Sequence, residues 1–250
     1  MKCMILAAGY ATRLYPLTRT FPKPLLEVNE KTIIQWLIDD LNRIRELNEI
    51  IIISNSKFYT QFLTWQKSIY SRVPIRILND GSTDNENRLG AVKDIIYAIR
   101  ECGVEEDVIV VAGDNLLDFS LEIMFNYFKE KNASCIMRYY EEDYKRLQKT
   151  GVINIGKDDI VIEMQEKPVM PKSSWAVPPF YIYKKKDLEY ILKAMEEGCE
   201  VDAPGSLIQY LCTRSKVYAM EMPGKRYDVG NLESYTEVKK MYHGMVRDRA

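Results

Sequence analysis

A chain of 250 residues can bury one large hydrophobic core, or one α/β domain with a smaller appendage. Its formal net charge is −1 and charged residues make up 28% of it, which excludes a bulk electrostatic attraction to nucleic acid or to an anionic membrane. A phosphate-bearing ligand must therefore be held by a local cluster of cationic groups.

Short β-branched runs alternate with amphipathic segments of helical length in the first half of the chain. The pattern predicts strands at 3–6, 50–54, 75–78 and 108–112, and helices at 32–46, 58–69 and 91–100. This alternation is typical of an α/β fold with a Rossmann-like, mainly parallel mixed sheet flanked by helices. Ligands of such sheets bind beyond the carboxyl ends of the strands, where the segments 9–13 and 113–114 are expected.

The second half, after about residue 132, is richer in β-strand signals. Strands are predicted at 135–139, 151–155, 160–166 and 176–183, and helices at 186–197, 205–211 and 232–241. We expect this half to extend the sheet and to cover the ligand. Residues 1–250 are therefore interpreted as one composite domain.

The cysteines are odd in number and widely spaced, and none belongs to a Cys-x-x-Cys pair. They are Cys3, Cys102, Cys135, Cys199 and Cys212. This usage predicts reduced thiols in a cytoplasmic protein, with none of them binding a metal. No apolar run approaches the roughly 20 residues that a membrane span needs, so no membrane partner is expected.

The stretch from residue 6 to residue 26 joins an apolar strand, a glycine-bearing turn and two cationic side chains. It reads Leu-Ala-Ala-Gly-Tyr-Ala-Thr-Arg-Leu-Tyr-Pro-Leu-Thr-Arg-Thr-Phe-Pro-Lys-Pro-Leu-Leu. Small residues around Gly9 let backbone N–H groups approach phosphate oxygens, while Arg13 and Lys23 add positive charge. The stretch is neither a Walker A loop nor a dinucleotide fingerprint. It predicts a polyanion site, the alternative being a solvated loop with incidental basic residues.

Two aspartates stand where a strand or a turn ends. Asp114 follows a buried apolar strand, and it either holds a divalent cation or caps the helix that begins near Leu121. Asp228 precedes Gly230 and a helix, and on its own it is equally well a turn residue. The residues alone leave both alternatives open.

The opening stretch resembles the signature of the sugar-phosphate nucleotidyltransferases, such as the glucose-1-phosphate thymidylyltransferases. Their pattern runs Leu-Ala-Ala-Gly-x-Gly-Thr-Arg-Leu-x-Pro-x-Thr and, after a gap, Lys-Pro-Leu. The resemblance implies catalytic roles for Arg13 and Lys23. It also implies a nucleotide-binding segment that comprises Leu6, Ala8, Gly9, Ala11, Thr12 and Arg13. Ala11 stands where the family has its second glycine, so its backbone is either conventional or the loop geometry differs.

Later segments are similar to further elements of that family. Tyr227-Asp228-Val229-Gly230 looks like the element that carries the second metal carboxylate, which implies that Asp114 and Asp228 bind Mg²⁺. The series around Gly151 and Glu166-Lys167-Pro168 is similar to the sugar-binding run. The acceptor-binding residues implied are Asn115, Gly151, Glu166, Lys167 and Tyr181, with Lys167 also catalytic. The base-reading position implies Asn79 and Gly90 for the nucleotide.

The implied reaction joins a nucleoside triphosphate to a phosphorylated sugar or alcohol and releases pyrophosphate. Residues 1–132 are then the nucleotide-binding part, and residues 133–250 the acceptor-binding part with the C-terminal helix. Pro178-Pro179-Phe180 departs from the usual acceptor floor, so a cytidylyltransferase for a phosphorylated alcohol or amino acid, such as phosphocholine, is an alternative. A non-catalytic regulatory subunit is a second alternative, and assembly into a homo-oligomer is left open.

Overall fold

The computed structural model describes residues 1–245, which contain eight α-helices and fourteen strands. The helices are α1 (Ile33–Leu41), α2 (Tyr59–Gln66), α3 (Ala91–Glu101), α4 (Glu122–Lys131), α5 (Tyr144–Leu147), α6 (Leu188–Lys193), α7 (Gly205–Leu211) and α8 (Leu232–Met241). The strands are β1 (Lys2–Leu6), β2 (Glu27–Val28), β3 (Lys31–Thr32), β4 (Glu49–Ser54), β5 (Ile75–Asn79), β6 (Val108–Ala112), β7 (Asn115–Leu117), β8 (Ser134–Tyr140), β9 (Gly151–Ile155), β10 (Val161–Glu166), β11 (Trp175–Val177), β12 (Phe180–Tyr183), β13 (Val217–Glu221) and β14 (Arg226–Asp228).

The chain divides into two compact units whose segments alternate along the sequence. The first unit, as we name it, comprises Lys2–Arg88, Ala112–Ile123 and residues from 223 onward. The second unit comprises Met1, Leu89–Val111 and Met124–Met222. Neither unit is one continuous stretch of sequence.

Parallel strands form the centre of the first unit. β1 pairs with β4, with Leu6 opposite Ile53, and β4 pairs with β5, with Ser54 opposite Asn79. The side chains of residues 50–53 are 0% exposed, since a parallel strand is covered on both faces. The carboxyl ends of β1, β4 and β5 therefore lie at one edge, from which the loop after Leu6 starts.

A short antiparallel ladder brings the C-terminal part of the chain into the first unit. β14 pairs with β7, with Asp228 opposite Asn115. Behind this ladder, Tyr242 is 2% exposed, packs with Leu14 and Val229, and donates a hydrogen bond of 2.9 Å from its hydroxyl to the Leu117 carbonyl. This core fixes the place of β14 although the strand has only three residues.

The sheet of the second unit is mixed, in the order β6, β12, β8, β11, β9 and β10. These neighbours are antiparallel from β6 to β10, and β13 pairs with β8 in the parallel direction. α7 packs against β10, the last strand of that order. The glutamate that ends β10 thus lies beside the start of α7.

Most predicted elements are present, and two differ for physical reasons. The strand predicted at 176–183 is wrong as one element, because Pro178 and Pro179 lack N–H groups and separate β11 from β12. The helix predicted at 32–46 ends at Leu41. Arg72 holds the segment beyond it in a non-helical path through hydrogen bonds to the carbonyls of Asn42, Ile44 and Leu47.

Two further observations concern the cysteines and the helices. All five cysteines are free thiols. Within residues 1–245, each helix is too short or too polar to reach across a lipid bilayer.

Candidate active site

The loop that follows β1 is fixed at its start by backbone hydrogen bonds. The N–H of Ala7 donates to the Ile53 carbonyl and the N–H of Gly113 donates to the Leu6 carbonyl, both at 2.9 Å. The side-chain amide of Asn55 donates to the Ala8 carbonyl at 2.8 Å. A Cβ at residue 113 would lie 2.9 Å from the Ile5 side chain, which explains the glycine before Asp114. Leu6 and Ala8 thus fix the loop through their backbone.

The tip of the loop presents its polar and cationic groups to solvent. Gly9 is exposed, and a Cβ there would meet no atom within 4 Å. Thr12 and Arg13 are exposed on a 3₁₀ turn, Thr12–Leu14, which is anchored by Leu14 at 1% exposure. Among residues 1–245, the Arg13 guanidinium has no hydrogen-bond or ion-pair partner. It is therefore available to an anionic ligand.

Ala11 adopts a left-handed backbone conformation, with φ 46° and ψ 45°. Its carbonyl accepts hydrogen bonds from the N–H of Leu14 at 2.9 Å and from the hydroxyl of Thr18 at 2.8 Å. The backbone of Ala11 is thus not conventional, since it takes a conformation that favours glycine although a Cβ is present. A left-handed conformation costs such a residue roughly 1–2 kcal/mol.

We expect Ala11→Gly to leave the free energy of unfolding unchanged or to raise it by up to about 1 kcal/mol. The relief of left-handed strain outweighs the larger backbone entropy of glycine in the unfolded chain. Urea denaturation monitored by circular dichroism measures the difference. Ala98→Gly, in the interior of α3, is the control and should lower the same free energy by about 1 kcal/mol or more. Equal losses in the two variants would contradict the strain at Ala11.

Lys23, Asp114 and Asp228 converge at the rim of the first unit. The Lys23 ammonium donates a hydrogen bond to Oδ2 of Asp114 at 2.6 Å and lies 3.8 Å from Oδ1 of Asp228. The side chain of Lys23 is only 10% exposed, while those of Asp114 and Asp228 are 36% and 53% exposed. Two carboxylates distant in sequence therefore share one cation on their inner side and keep an outer side open.

Asn115 and Arg226 hold Asp114 in place. The side-chain amide of Asn115 donates to Oδ1 of Asp114 at 2.9 Å and to the Ala112 carbonyl at 3.2 Å, and its Oδ1 accepts a hydrogen bond of 2.9 Å from Arg226. Burial by itself would raise the pKa of Asp114, but the charges of Lys23 and Arg226 and the hydrogen bond from Lys23 lower it. Asp114 is therefore a fixed, ionised carboxylate.

These contacts change how two predicted roles are understood. Asn115 is 1% exposed and its side chain is engaged at both ends, so in this structure it orients Asp114. Its assignment to the acceptor stays a prediction.

Arg226 was missed from the sequence, where the alternation in Arg-Tyr-Asp could have placed it on the same face of a strand as Asp228. Asp114 does not cap the helix that begins near Leu121, because Asp40 accepts the N–H of Leu121 at 2.7 Å instead.

Asn79 and the loop after it belong to the first unit. Oδ1 of Asn79 accepts hydrogen bonds of 2.9 Å from the Ser56 hydroxyl and from the N–H of Gly81, so this side chain shapes the turn that follows β5. Further on, Oδ1 of Asn87 accepts from the N–H groups of Thr83 and Asp84. The reading of a base by Asn79 stays a prediction.

Gly90 lies in the second unit, directly before α3. Its φ is 90°, and a Cβ there would lie 2.5 Å from the Val201 carbonyl oxygen, so only glycine fits. The first N–H groups of α3 donate to the carbonyls of Asp202 and Val201 at 3.3 and 3.0 Å. The structure thus gives Gly90 a packing reason, and its contact with a nucleotide stays a prediction.

Three of the predicted acceptor residues meet at the end of β10 in the second unit. Glu166 pairs with Gly151 across the β9–β10 ladder, and a Cβ on Gly151 would lie 3.3 Å from Oε2 of Glu166. Lys167 follows with a left-handed φ of 46°, and its ammonium lies 3.6 Å from Asp202. Glu166 lines a cleft of about 780 Å³ together with Glu200, Ser206 and Tyr210. The carboxylate therefore borders a space that can hold a ligand.

Tyr181 is separated from these groups. It is 3% exposed and its ring stacks on that of Tyr183, with the centroids 6.2 Å apart. Phe180 is 0% exposed and belongs to the same core, so it does not form part of an exposed acceptor floor. The acceptor-binding role of Tyr181 stays a prediction, and this structure gives its ring a packing role.

The pKa of the Glu166 carboxyl is raised by burial and by the nearby charges of Asp202 and Glu200, against the opposing charge of Lys167. A carboxyl whose pKa is raised on folding is fully stabilising below its unfolded pKa and destabilises increasingly as the pH rises through the folded pKa. We therefore expect Glu166→Gln to gain stability relative to the parent chain between pH 4 and pH 8. Urea denaturation of both chains across that range measures the change, and a difference independent of pH would contradict it.

Comparisons with known proteins agree with this architecture. A family model described as "Nucleotidyl transferase" matches residues 2–244. Two relatives are each 27% identical. They are a glucose-1-phosphate adenylyltransferase of Clostridium novyi (strain NT), over 94% of this chain, and a bifunctional protein GlmU of Methanocaldococcus jannaschii, over 96%. The chain spans 64% and 54% of their lengths.

A solved structure of UDP-glucose pyrophosphorylase complexed with UDP-glucose superposes with a TM-score of 0.80 at 22% identity. The superposition covers 96% of this chain and 97% of the chain in that structure. The predicted fold class, an α/β nucleotide-diphospho-sugar transferase type with a mixed sheet flanked by helices, is thereby confirmed.

Proposed function

Because this chain belongs to the nucleotidyl transferase family, we propose that it transfers a nucleotidyl group from a nucleoside triphosphate to a sugar phosphate. The products are a nucleoside-diphosphate sugar and pyrophosphate. The observation that carries the proposal is the position of the Lys23 ammonium between Asp114 and Asp228, at the strand edge from which the glycine loop starts. This arrangement combines fixed cations for phosphate with two carboxylates for a metal ion.

The reaction brings two anions together. An oxygen of the acceptor phosphate attacks the α-phosphorus, the bond from that phosphorus to the bridging oxygen breaks, and pyrophosphate leaves with the electron pair. Arg13 binds the leaving pyrophosphate, and Lys23 and Lys167 neutralise phosphate charge. The backbone N–H groups around Gly9 hold the triphosphate, and Glu166 accepts a hydrogen bond from an acceptor hydroxyl. The protein acts mainly by alignment and charge neutralisation.

Asp114 and Asp228 fit a Mg²⁺ ion. Their oxygens already surround one cation, the Lys23 ammonium, and Mg²⁺ is commonly held by one or two carboxylates together with substrate phosphates and water. Residues 1–245 contain no group of three or more His, Cys, Asp or Glu side chains that could bind a metal without substrate. When bound, Mg²⁺ would supply positive charge to the phosphate oxygens.

The experiment is a screen for pyrophosphate release. Purified protein is supplied with each nucleoside triphosphate in turn, with sugar 1-phosphates or phosphocholine as the acceptor, and with Mg²⁺ or EDTA. We expect release with a sugar 1-phosphate in Mg²⁺ and none in EDTA. Release with CTP and phosphocholine alone would favour the cytidylyltransferase alternative, and no release with any pair would favour the non-catalytic subunit.

The five free thiols support a cytoplasmic location, because thiols persist in a reducing compartment. A homo-oligomeric state stays a prediction, which light scattering on the purified protein tests.

A further inference from the structure

The carboxylate of Glu166 is packed against two glycines. A Cβ on Gly205, the first residue of α7, would overlap Oε2 of Glu166 and would lie 3.3 Å from its Cδ. A Cβ on Gly151 would lie 3.3 Å from the same oxygen. Any other residue at position 205 would therefore occupy the space that the carboxylate now fills.

Neither glycine is there for its backbone conformation. The φ angles of Gly151 and Gly205 lie outside the left-handed region, so an alanine could adopt the same backbone at either position. Glycine loses more conformational entropy on folding than alanine does, so it is disfavoured where its conformational freedom is not needed. The space left by the missing Cβ is thus the remaining physical reason for glycine at position 205.

Among residues 1–245, the Glu166 carboxylate has no hydrogen-bond donor. The Lys167 ammonium attracts this carboxylate but is paired with Asp202, at 3.6 Å. The charges of Asp202 and Glu200 repel the carboxylate. A half-buried carboxylate without a donor has lost hydration that a ligand can restore. The cleft that Glu166 borders provides the access.

We propose that Gly205 is a positioning residue for acceptor recognition, because the slot between it and Gly151 directs the Glu166 carboxylate toward the donor groups of the acceptor. This inference rests on the proposed function, in which Glu166 binds an acceptor hydroxyl. Gly205 itself touches no reactant. Its role is to set where one carboxylate oxygen stands.

The variant Gly205→Ala tests the slot. We expect the KM for the acceptor to rise about tenfold or more, with the KM for the triphosphate unchanged, because one charged hydrogen bond is misplaced. The melting temperature should stay level or rise, since alanine favours the helix and Glu166 can rotate away. Gly156→Ala is the control, since an added Cβ there would meet the side chain of Ile162 and no carboxylate, and it should leave both KM values unchanged. An unchanged acceptor KM in Gly205→Ala would overturn the proposal.

Met164 also borders the added methyl group, so a second measurement separates the two neighbours. Glu166→Asp withdraws the carboxylate by one methylene. We expect it to raise the acceptor KM strongly in the parent chain and much less in the Gly205→Ala background, which is a coupling between the two positions. Additive effects would show that Gly205 acts through Met164 or the helix, and they would overturn the inference.

A titration without substrate distinguishes failure of the slot from failure of the proposed function. In protein with ¹³C-labelled glutamate, the Glu166 carboxyl resonance should titrate at a lower pH in Gly205→Ala than in the parent chain, because the carboxylate moves toward water. An unchanged titration overturns the slot whatever the enzyme catalyses. The expected titration combined with no turnover of any acceptor would overturn the acceptor role and leave the slot in place.

Discussion

Replacing Arg13 by alanine is expected to lower kcat by about a hundredfold or more while the melting temperature stays within a degree or two. The guanidinium is exposed on the Thr12–Leu14 turn and has no partner among residues 1–245, so its loss breaks no contact of the fold. It is expected to bind the pyrophosphate as that group leaves, and each charged contact of this kind typically lowers the barrier by a few kcal/mol. Steady-state pyrophosphate release and a thermal melt measure the two quantities.

The matched control for this variant is Arg19→Ala. Arg19 is exposed in the segment that follows the turn and lies over the Tyr15 ring at 5.5 Å, but it has no predicted role in the reaction. Its loss should change kcat less than threefold or so, in keeping with a solvated surface charge. If Arg13→Ala retained parental activity, or if the two variants lost the same activity, Arg13 would have no place in the mechanism.

The second large effect is expected for Asp114→Asn, which should also lower kcat by about a hundredfold or more. An amide is a weaker ligand for Mg²⁺, and it removes the negative charge that now lies 2.6 Å from the Lys23 ammonium. Because Lys23 is only 10% exposed, this variant should also lose about 1–3 kcal/mol of unfolding free energy. Urea denaturation and kinetics with saturating Mg²⁺ separate the two losses.

Asp39→Asn is the control for the stability part. Asp39 forms an ion pair of the same 2.6 Å length with Lys31. The side chains of this pair are more exposed than that of Lys23, at 34% for Asp39 and 41% for Lys31. Exposed pairs contribute about 1 kcal/mol or less, so this variant should unfold almost as the parent does and keep its kcat. Full activity in Asp114→Asn would remove Asp114 from the metal site.

The N-terminal half of the fold could be predicted because its signals are local. Val108–Ala112 and Ala91–Glu101 follow from a continuous apolar run and from helical spacing, and the carboxyl ends of the strands indicated where a ligand is to be expected. β14 was missed, since three residues are too few for their alternation to predict a strand without knowledge of the partner strand. Its place depends on the partner β7 and on the packing of Tyr242.

In the candidate site, too, local signals could be predicted and contacts between distant segments could not. Residue type and spacing singled out Arg13 and Lys23, because positive charge near a glycine turn has few structural uses, whereas Glu166 was assigned only through the family resemblance. Spacing could not reveal that Asn115 is oriented inward by Arg226, which depends on the register between β7 and β14. It could not reveal Gly205 either, because the reason for that glycine is a side chain 39 positions earlier in the chain.

The pairing of Asp228 with Asn115 has a consequence for biosynthesis. The aspartate next to Asn115 leaves the ribosome well before the aspartate at position 228, so a nascent chain holds Asp114 without its companion while the residues between them are made. The buried ammonium of Lys23 then has only one counter-charge. The cluster of Lys23, Asp114 and Asp228 can therefore be assembled only after β14 has emerged, well after the loop that follows β1 has been made.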